Sequence, residues 1–156
     1  MLCLLVLFLA LTGCRTKRPV VESYDSMIRE AAQRHGISAL LVKAVIKQES
    51  NFCSWQVGND GEIGLMQITD GAVQDWEEAT GAECPFRSML FDPRLNIEIG
   101  TWYLARAMNE WKHYRDAEVL ALAAYNAGPG TARKWAPEDP REDALERVRF
   151  SSTKAY

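Results

Sequence analysis

At 156 residues and 17.6 kDa, with 47% hydrophobic and 25% charged side chains, the chain suits a single folded domain; neither a disordered chain nor a fibre fits this composition. A net charge of −3 without a basic stripe argues against nucleic acid as a partner, because a phosphate backbone is held by clustered Lys and Arg. The two histidines, His35 and His113, are not at ligand spacing from any cysteine or carboxylate, so no metal and no cofactor are expected.

In chain order, Met1 to Leu11 carries no charged side chain and is about half of the roughly 20 residues that span a bilayer, so it reads as the apolar part of an export signal. Leu11-Thr12-Gly13-Cys14 follows, and small residues before a cysteine resemble the lipobox of bacterial lipoproteins. That resemblance implies a signal peptide over residues 1–13, lipid on Cys14, and a polar tether over 14–22 in which Arg15, Lys17 and Arg18 suit an anionic membrane surface. A secretory signal with an incidental cysteine is the alternative, and no Lys or Arg precedes the apolar run. The expected location is the periplasmic side of the cell envelope, anchored to a membrane, the outer one, with the folded domain over residues 23–156 as a monomer. Export places the chain where disulfides form. Cys53 and Cys84 then either bridge the loop after residue 49 to the segment before the longest helix or remain two isolated thiols.

Apolar spacing marks about five helices and no run alternates long enough for a strand, so the fold class is mainly α. Tyr24, Met27, Ile28, Ala31 and Ala32 form one stripe that stops at Gly36, a residue suited to the left-handed position past a helix end. Ser38 caps the next helix, with Leu40, Leu41, Ala44, Val45 and Ile46 as its buried side and Glu49 in its last turn. Gly58-Asn59-Asp60-Gly61 is a turn, and a small hairpin fits residues 55–65. Asp70 is read as the cap of a helix through Val73 and Trp76, and Asp92-Pro93 as the start of the longest helix. The aromatic side of that helix, with Trp102, Tyr103 and Trp111, reads as core rather than as a sugar platform. Ala117 to Ala124 is a further apolar helix ending near Asn126-Ala127-Gly128, followed by a short segment with Trp135. The charge-dense residues 137–149 read as a solvated loop and helix face, and both histidines as satisfied surface groups at helix ends.

Chemistry enters where polar residues interrupt these apolar runs without any need of packing. Glu49 lies at a helix C-terminus, whose partial negative charge disfavours a carboxylate, beside Val45, Ile46 and Phe52, which could desolvate it; both effects suit a proton donor. Glu49-Ser50, Gly64-Leu65-Met66-Gln67-Ile68 and Ala124-Tyr125-Asn126-Ala127-Gly128, with Phe91-Asp92-Pro93 and Asn96 to Leu104, together resemble the catalytic domain of lytic transglycosylases of the soluble (SLT) type, a lysozyme-like family that cleaves peptidoglycan. The resemblance covers about residues 24 to 156 and implies an α+β, lysozyme-like variant of the mainly helical fold.

It further implies that Glu49 is the sole acid and base, cutting the N-acetylmuramic acid to N-acetylglucosamine bond and leaving a 1,6-anhydromuramic end. Ser50 would contact the N-acetyl or pyranose region, Met66 and Gln67 would line the cleft, Tyr125 would direct its hydroxyl at Glu49, and Asn126 would hold the loop or the substrate. Phe150 to Tyr156 is similar to the family's closing Phe-x-x-Thr-x-x-Tyr element, whose Tyr, here Tyr156, borders the cleft. Taken singly, Met66 and Tyr125 fit a core equally well, Ser50 a capping hydroxyl and Asn126 a helix terminator. The sequence departs from the commonest pattern at Gly58 and Glu62, where Ser and Ala are usual, so Asp60 and Glu62 offer a second carboxylate. Two rival functions follow: a lysozyme-like hydrolase that uses one of them to position water, and an inactive wall-binding lipoprotein.

Overall fold

The computed structural model describes residues 24–148; the expected signal peptide, Cys14, the tether and the closing element with Tyr156 lie outside them. Among the described residues, six α-helices and one 3₁₀ turn follow in the order α1 (Asp25–His35), α2 (Ala39–Ser50), α3 (Asp70–Thr80), the 3₁₀ turn (Arg87–Phe91), α4 (Pro93–Trp111), α5 (Ala117–Ala127) and α6 (Pro129–Trp135). α4 is the axis, with α1, α3, α5 and the 3₁₀ turn packed on it, while α2 packs on α1 and α6 on α5.

The caps explain most of the helix boundaries. Gly36 takes φ +69 and closes α1 by donating its N–H to the Ala32 carbonyl. Ser38 Oγ accepts the Leu41 N–H at 3.4 Å, and Asp92 accepts the Leu95 N–H at 3.0 Å ahead of Pro93, where a missing N–H costs nothing. One cap differs from expectation. Thr69, not Asp70, caps α3, its Oγ1 accepting the Ala72 N–H at 3.2 Å, because Thr69 is the extended residue and Asp70 already has helical geometry as first residue of the helix.

The main core gathers Ile28, Val42, Val45, Ile46, Leu65, Ile97, Ile99 and Leu104, each such side chain contributing about 1.5–3 kcal/mol on burial. A second, alanine-rich cluster joins α4, α5 and α6 through Ala107, Trp111, Leu120, Ala121, Ala124 and Ala132, the alanines letting these helices approach closely. The buried side of α2 is rotated from the expected one: Val42, Val45, Ile46 and Ser50 are buried, whereas Leu40 is 80% exposed and Ala44 faces solvent. The unbroken apolar run Ala39 to Val42 leaves the phase of the helix undetermined until α1 selects a face. The expected hairpin is reduced to two isolated antiparallel bridges, Val57 to Ile63 and Ile63 to Ile68, and there is no strand among the described residues. Residues 137–148 form turns rather than a helix, laced by pairs such as Arg141 with Asp139. His35 is held by Glu98 at 2.7 Å. Burial pushes the Glu98 carboxyl up, but hydrogen bonds from Arg34 and His35 and their charges outweigh it and hold the group below the ordinary carboxylate range.

Candidate active site

Glu49 is half-buried in the last turn of α2. Asn51 and Phe52 take φ of 50 and 65, two consecutive left-handed residues that reverse the chain directly after the helix. Phe52 is buried in the core beyond, so this strained reversal is anchored.

The loop 63–68 is the centre of the site, and three helices hold it. From α4, Asn96 is fully buried and accepts the Met66 N–H at Oδ1 (2.8 Å), while its Nδ2 donates to the carbonyls of Ile63 and Leu90, both at 2.8 Å. From α2, the Ser50 hydroxyl lies 2.8 Å from the Leu65 carbonyl and 3.2 Å from that of Ile46, donating to backbone. From α5, the Tyr125 hydroxyl donates to the Met66 carbonyl at 2.8 Å. Ser50 and Tyr125 therefore grip neighbouring peptide units, and the residue before Ser50 is Glu49. Gly64 makes this possible. Its φ is +82, and a Cβ there would lie 2.7 Å from the Leu90 carbonyl oxygen and 2.8 Å from Asn96 Cγ.

Gln67 closes the loop at φ 49, a left-handed conformation that costs a non-glycine residue on the order of 1 kcal/mol. Its Nε2 donates to the carbonyls of Gly64 (2.9 Å) and Gln56 (3.3 Å), which fixes the side chain against the wall of a cleft. That cleft encloses about 190 Å³ and is lined by Gln67, Ile68, Thr69, Ala72, Tyr103, Ala124, Tyr125, Asn126 and Gly128. Tyr103 meets Tyr125 edge-on, with ring centroids 5.9 Å apart at 75°. Burial, and after it the charge of Asp75, pushes the Tyr103 hydroxyl above its ordinary value.

Of the residues singled out from sequence, Gln67, Tyr125 and Asn126 thus share one cleft. Others have different placements. The Met66 side chain does not line the cleft: it is fully buried, so close to Gly100 that a Cβ there would lie 2.7 Å from Met66 Cβ, and only its backbone serves the site. The Ser50 hydroxyl proton is directed to backbone, so its place in the site is that of a tie between α2 and the loop. The aromatic side of α4 is core at Trp111, while Tyr103 and Trp102 are half-buried and pack against the main core, Tyr103 also lining the cleft and Trp102 lying beneath the Arg106 guanidinium at 5.6 Å. Cys53 and Cys84 are free thiols rather than a bridge; Cys84 is buried, its Sγ 3.8 Å from the Phe86 carbonyl, and burial followed by the Glu77 charge raises its pKa. Glu62 accepts the Asp60 N–H at 3.2 Å and lies against Gly58, while Asp60 is exposed. Asn96 was missed as a site residue, yet it shares the helical phase of Gly100, Leu104, Ala107 and Trp111, and a polar residue on a buried stripe signals a side chain with backbone partners.

Comparison with known proteins finds relatives of this sequence and of this fold. The model of the transglycosylase SLT domain family matches residues 26–147. A membrane-bound lytic murein transglycosylase C from Salmonella arizonae is 30% identical over 141 residues, covering 86% of this chain and 39% of the relative. The lytic transglycosylase Slt of Pseudomonas aeruginosa, solved as an inactive Glu-to-Gln variant, superposes with a TM-score of 0.74 at 29% identity, covering 84% of this chain and 21% of that one. The 70 kDa soluble lytic transglycosylase of Escherichia coli superposes with a TM-score of 0.66 at 30% identity, covering 72% of this chain and 18% of that one. The chain thus spans well under half the length of these relatives and corresponds to one part of each. It belongs to the transglycosylase SLT domain family.

Proposed function

We propose that this domain is a peptidoglycan lytic transglycosylase in which Glu49 acts first as acid and then as base. Glu49 protonates the glycosidic oxygen between N-acetylmuramic acid and N-acetylglucosamine, and the bond to the anomeric carbon breaks. The muramic N-acetyl carbonyl steadies the positive charge that develops there, a substrate-assisted alternative to a second carboxylate. The carboxylate then takes the C6 hydroxyl proton as that oxygen closes on the anomeric carbon, so Glu49 ends protonated as it began and no water is consumed. An intramolecular nucleophile already in position has a large entropic advantage over solvent.

The observation that carries this reading is the pair of hydrogen bonds from Ser50 and Tyr125 to the adjacent carbonyls of Leu65 and Met66, which ties the end of α2 that bears Glu49 to the loop and helix that line the cleft. The inactive Glu-to-Gln variant of the Pseudomonas aeruginosa relative supports a glutamate in this role. The membrane-bound name of the Salmonella arizonae relative supports a lipid anchor at Cys14 and a site of action at the envelope.

The test is mass spectrometry of the products released from purified sacculi. The wild-type chain should release ends lighter by one water than hydrolysed ends, and Glu49→Gln should lower turnover by more than about a hundredfold while remaining folded by circular dichroism. Hydrated ends alone would assign the hydrolase instead, and undiminished cleavage by Glu49→Gln would remove this residue from the mechanism.

A further inference from the structure

At about 190 Å³ the cleft is smaller than the roughly 300–1,000 Å³ of pockets that enclose a drug-sized ligand. A glycan strand therefore runs beyond it, and what flanks the cleft decides how firmly the strand is held. On one side the wall is Gln67, and the outer neighbour of Gln67 is the segment 55–58. The Gln56 carbonyl accepts both the Gly64 N–H at 2.8 Å and Gln67 Nε2 at 3.3 Å, and a Cβ on Gly58 would lie 2.8 Å from Gln67 Oε1. The bridge between Val57 and Ile63 fixes the same segment to the loop.

This anchored segment carries Trp55, which is 72% exposed, and Val57, which is 53% exposed. Among the tryptophans this exposure stands apart, since Trp76 and Trp111 are buried to below 10% and Trp102 and Trp135 are half-buried. An indole represents a large apolar area that folding ordinarily removes from water. The ring contacts among the described residues join Trp102, Tyr103, Tyr125, Trp111 and Tyr114, and none involves Trp55. Its backbone is pinned while its ring is left for an outside partner.

Resting on the peptidoglycan reading of the cleft, we infer that Trp55 is a sugar-stacking residue that continues the cleft outward past Gln67. The face of a pyranose ring presents C–H bonds of partial positive charge, and the face of an indole carries the negative part of its quadrupole. Stacking of this kind reads ring shape rather than substituents, so it suits a repeating β-1,4-linked N-acetylhexosamine strand. The partner follows from continuity: the segment that carries Trp55 is hydrogen-bonded to a residue of the cleft wall, so a strand leaving the cleft on that side passes along it.

The experiment uses the Glu49→Gln chain, so that binding is read without turnover, and soluble glycan strands stripped of peptide by an amidase. Adding strands should change the tryptophan fluorescence. Trp55→Ala in the same background should abolish most of that change and raise Kd about tenfold, as loss of a buried interface Trp commonly does. Trp55→Phe should restore most of the affinity, because a ring and not an indole N–H is required. Because Trp55 is on the surface, the thermal midpoint should not move, which separates binding from folding. Equal Kd and equal signal for Trp55→Ala would overturn the stacking role and leave the cleft reading intact. Failure of the Glu49→Gln parent to bind strands at all would overturn both.

Discussion

Replacing Asn96 by Ala should cost this domain far more than an ordinary helix substitution, and the hydrogen bonds say how much. Three backbone groups lose a side-chain partner, but they are not equivalent. The Ile63 carbonyl still accepts the Ile68 N–H at 2.9 Å and stays satisfied. The Met66 N–H has Asn96 Oδ1 as its acceptor, and the Leu90 carbonyl has Asn96 Nδ2 as its donor, since the residue three positions on is Pro93, which has no N–H to give. Two buried groups are thus orphaned at about 1–3 kcal/mol each, a loss of about 2–6 kcal/mol against a typical total stability of about 5–15 kcal/mol. Urea unfolding followed by circular dichroism should show a lower midpoint at an unchanged slope. A loss below about 1 kcal/mol would refute the argument that Asn96 is the chief tether of the loop.

The glycines supply a paired test. Gly64→Ala must adopt φ +82 and also collide with the Leu90 carbonyl, so it should cost about 2–4 kcal/mol, whereas Gly36→Ala at φ +69 meets nothing within 4 Å and should cost only about 1–2 kcal/mol of backbone strain. Equal midpoints in urea for the two variants would show that the close approach at Gly64 carries no energy. Glu98 supplies a pH test. Its folded pKa is held below the ordinary 4.5, so its contribution is present in full above that value and is lost as pH falls through the folded one. The thermal midpoint of Glu98→Gln should accordingly fall less than that of the wild type on acidification from about pH 6 to about pH 3, and parallel curves would contradict the pairing with Arg34 and His35.

The helices were legible in the sequence because their signals are local. The stripe from Tyr24 to Ala32, the stop at Gly36, the cap at Ser38 and the Asp92-Pro93 start all depend on residues within a turn or two of one another. The phase of α2 was not legible, since the run Ala39 to Val42 is apolar on every side and only α1 decides which residues are covered. Neighbouring Thr69 and Asp70 can both cap, and the backbone chose the former. At the site, the residues that border the cleft, Gln67, Tyr125 and Asn126, were legible through the family resemblance of the motifs that carry them, since singly Tyr125 fits a core and Asn126 a helix end equally well. The division of labour within the loop was not. Whether Met66 contributes its side chain or its peptide group depends on Gly100, which lies 34 positions away in sequence. That the Ser50 hydroxyl bonds to the Leu65 carbonyl is likewise a long-range fact. Asn96 left a trace, its position on a buried stripe, but its three partners come from two other segments.

A loop suspended from α2, α4 and α5 at once has a consequence for when the chain becomes competent. No fragment of the polypeptide contains all three supports until α5 has docked, and the last of them, the Tyr125 hydroxyl, is 59 residues from the carbonyl it grips. Closing so long a connection is entropically costly and is repaid only by the finished core. A partly folded molecule therefore lacks a shaped groove, and the cleft acquires its wall only with the completed tertiary structure.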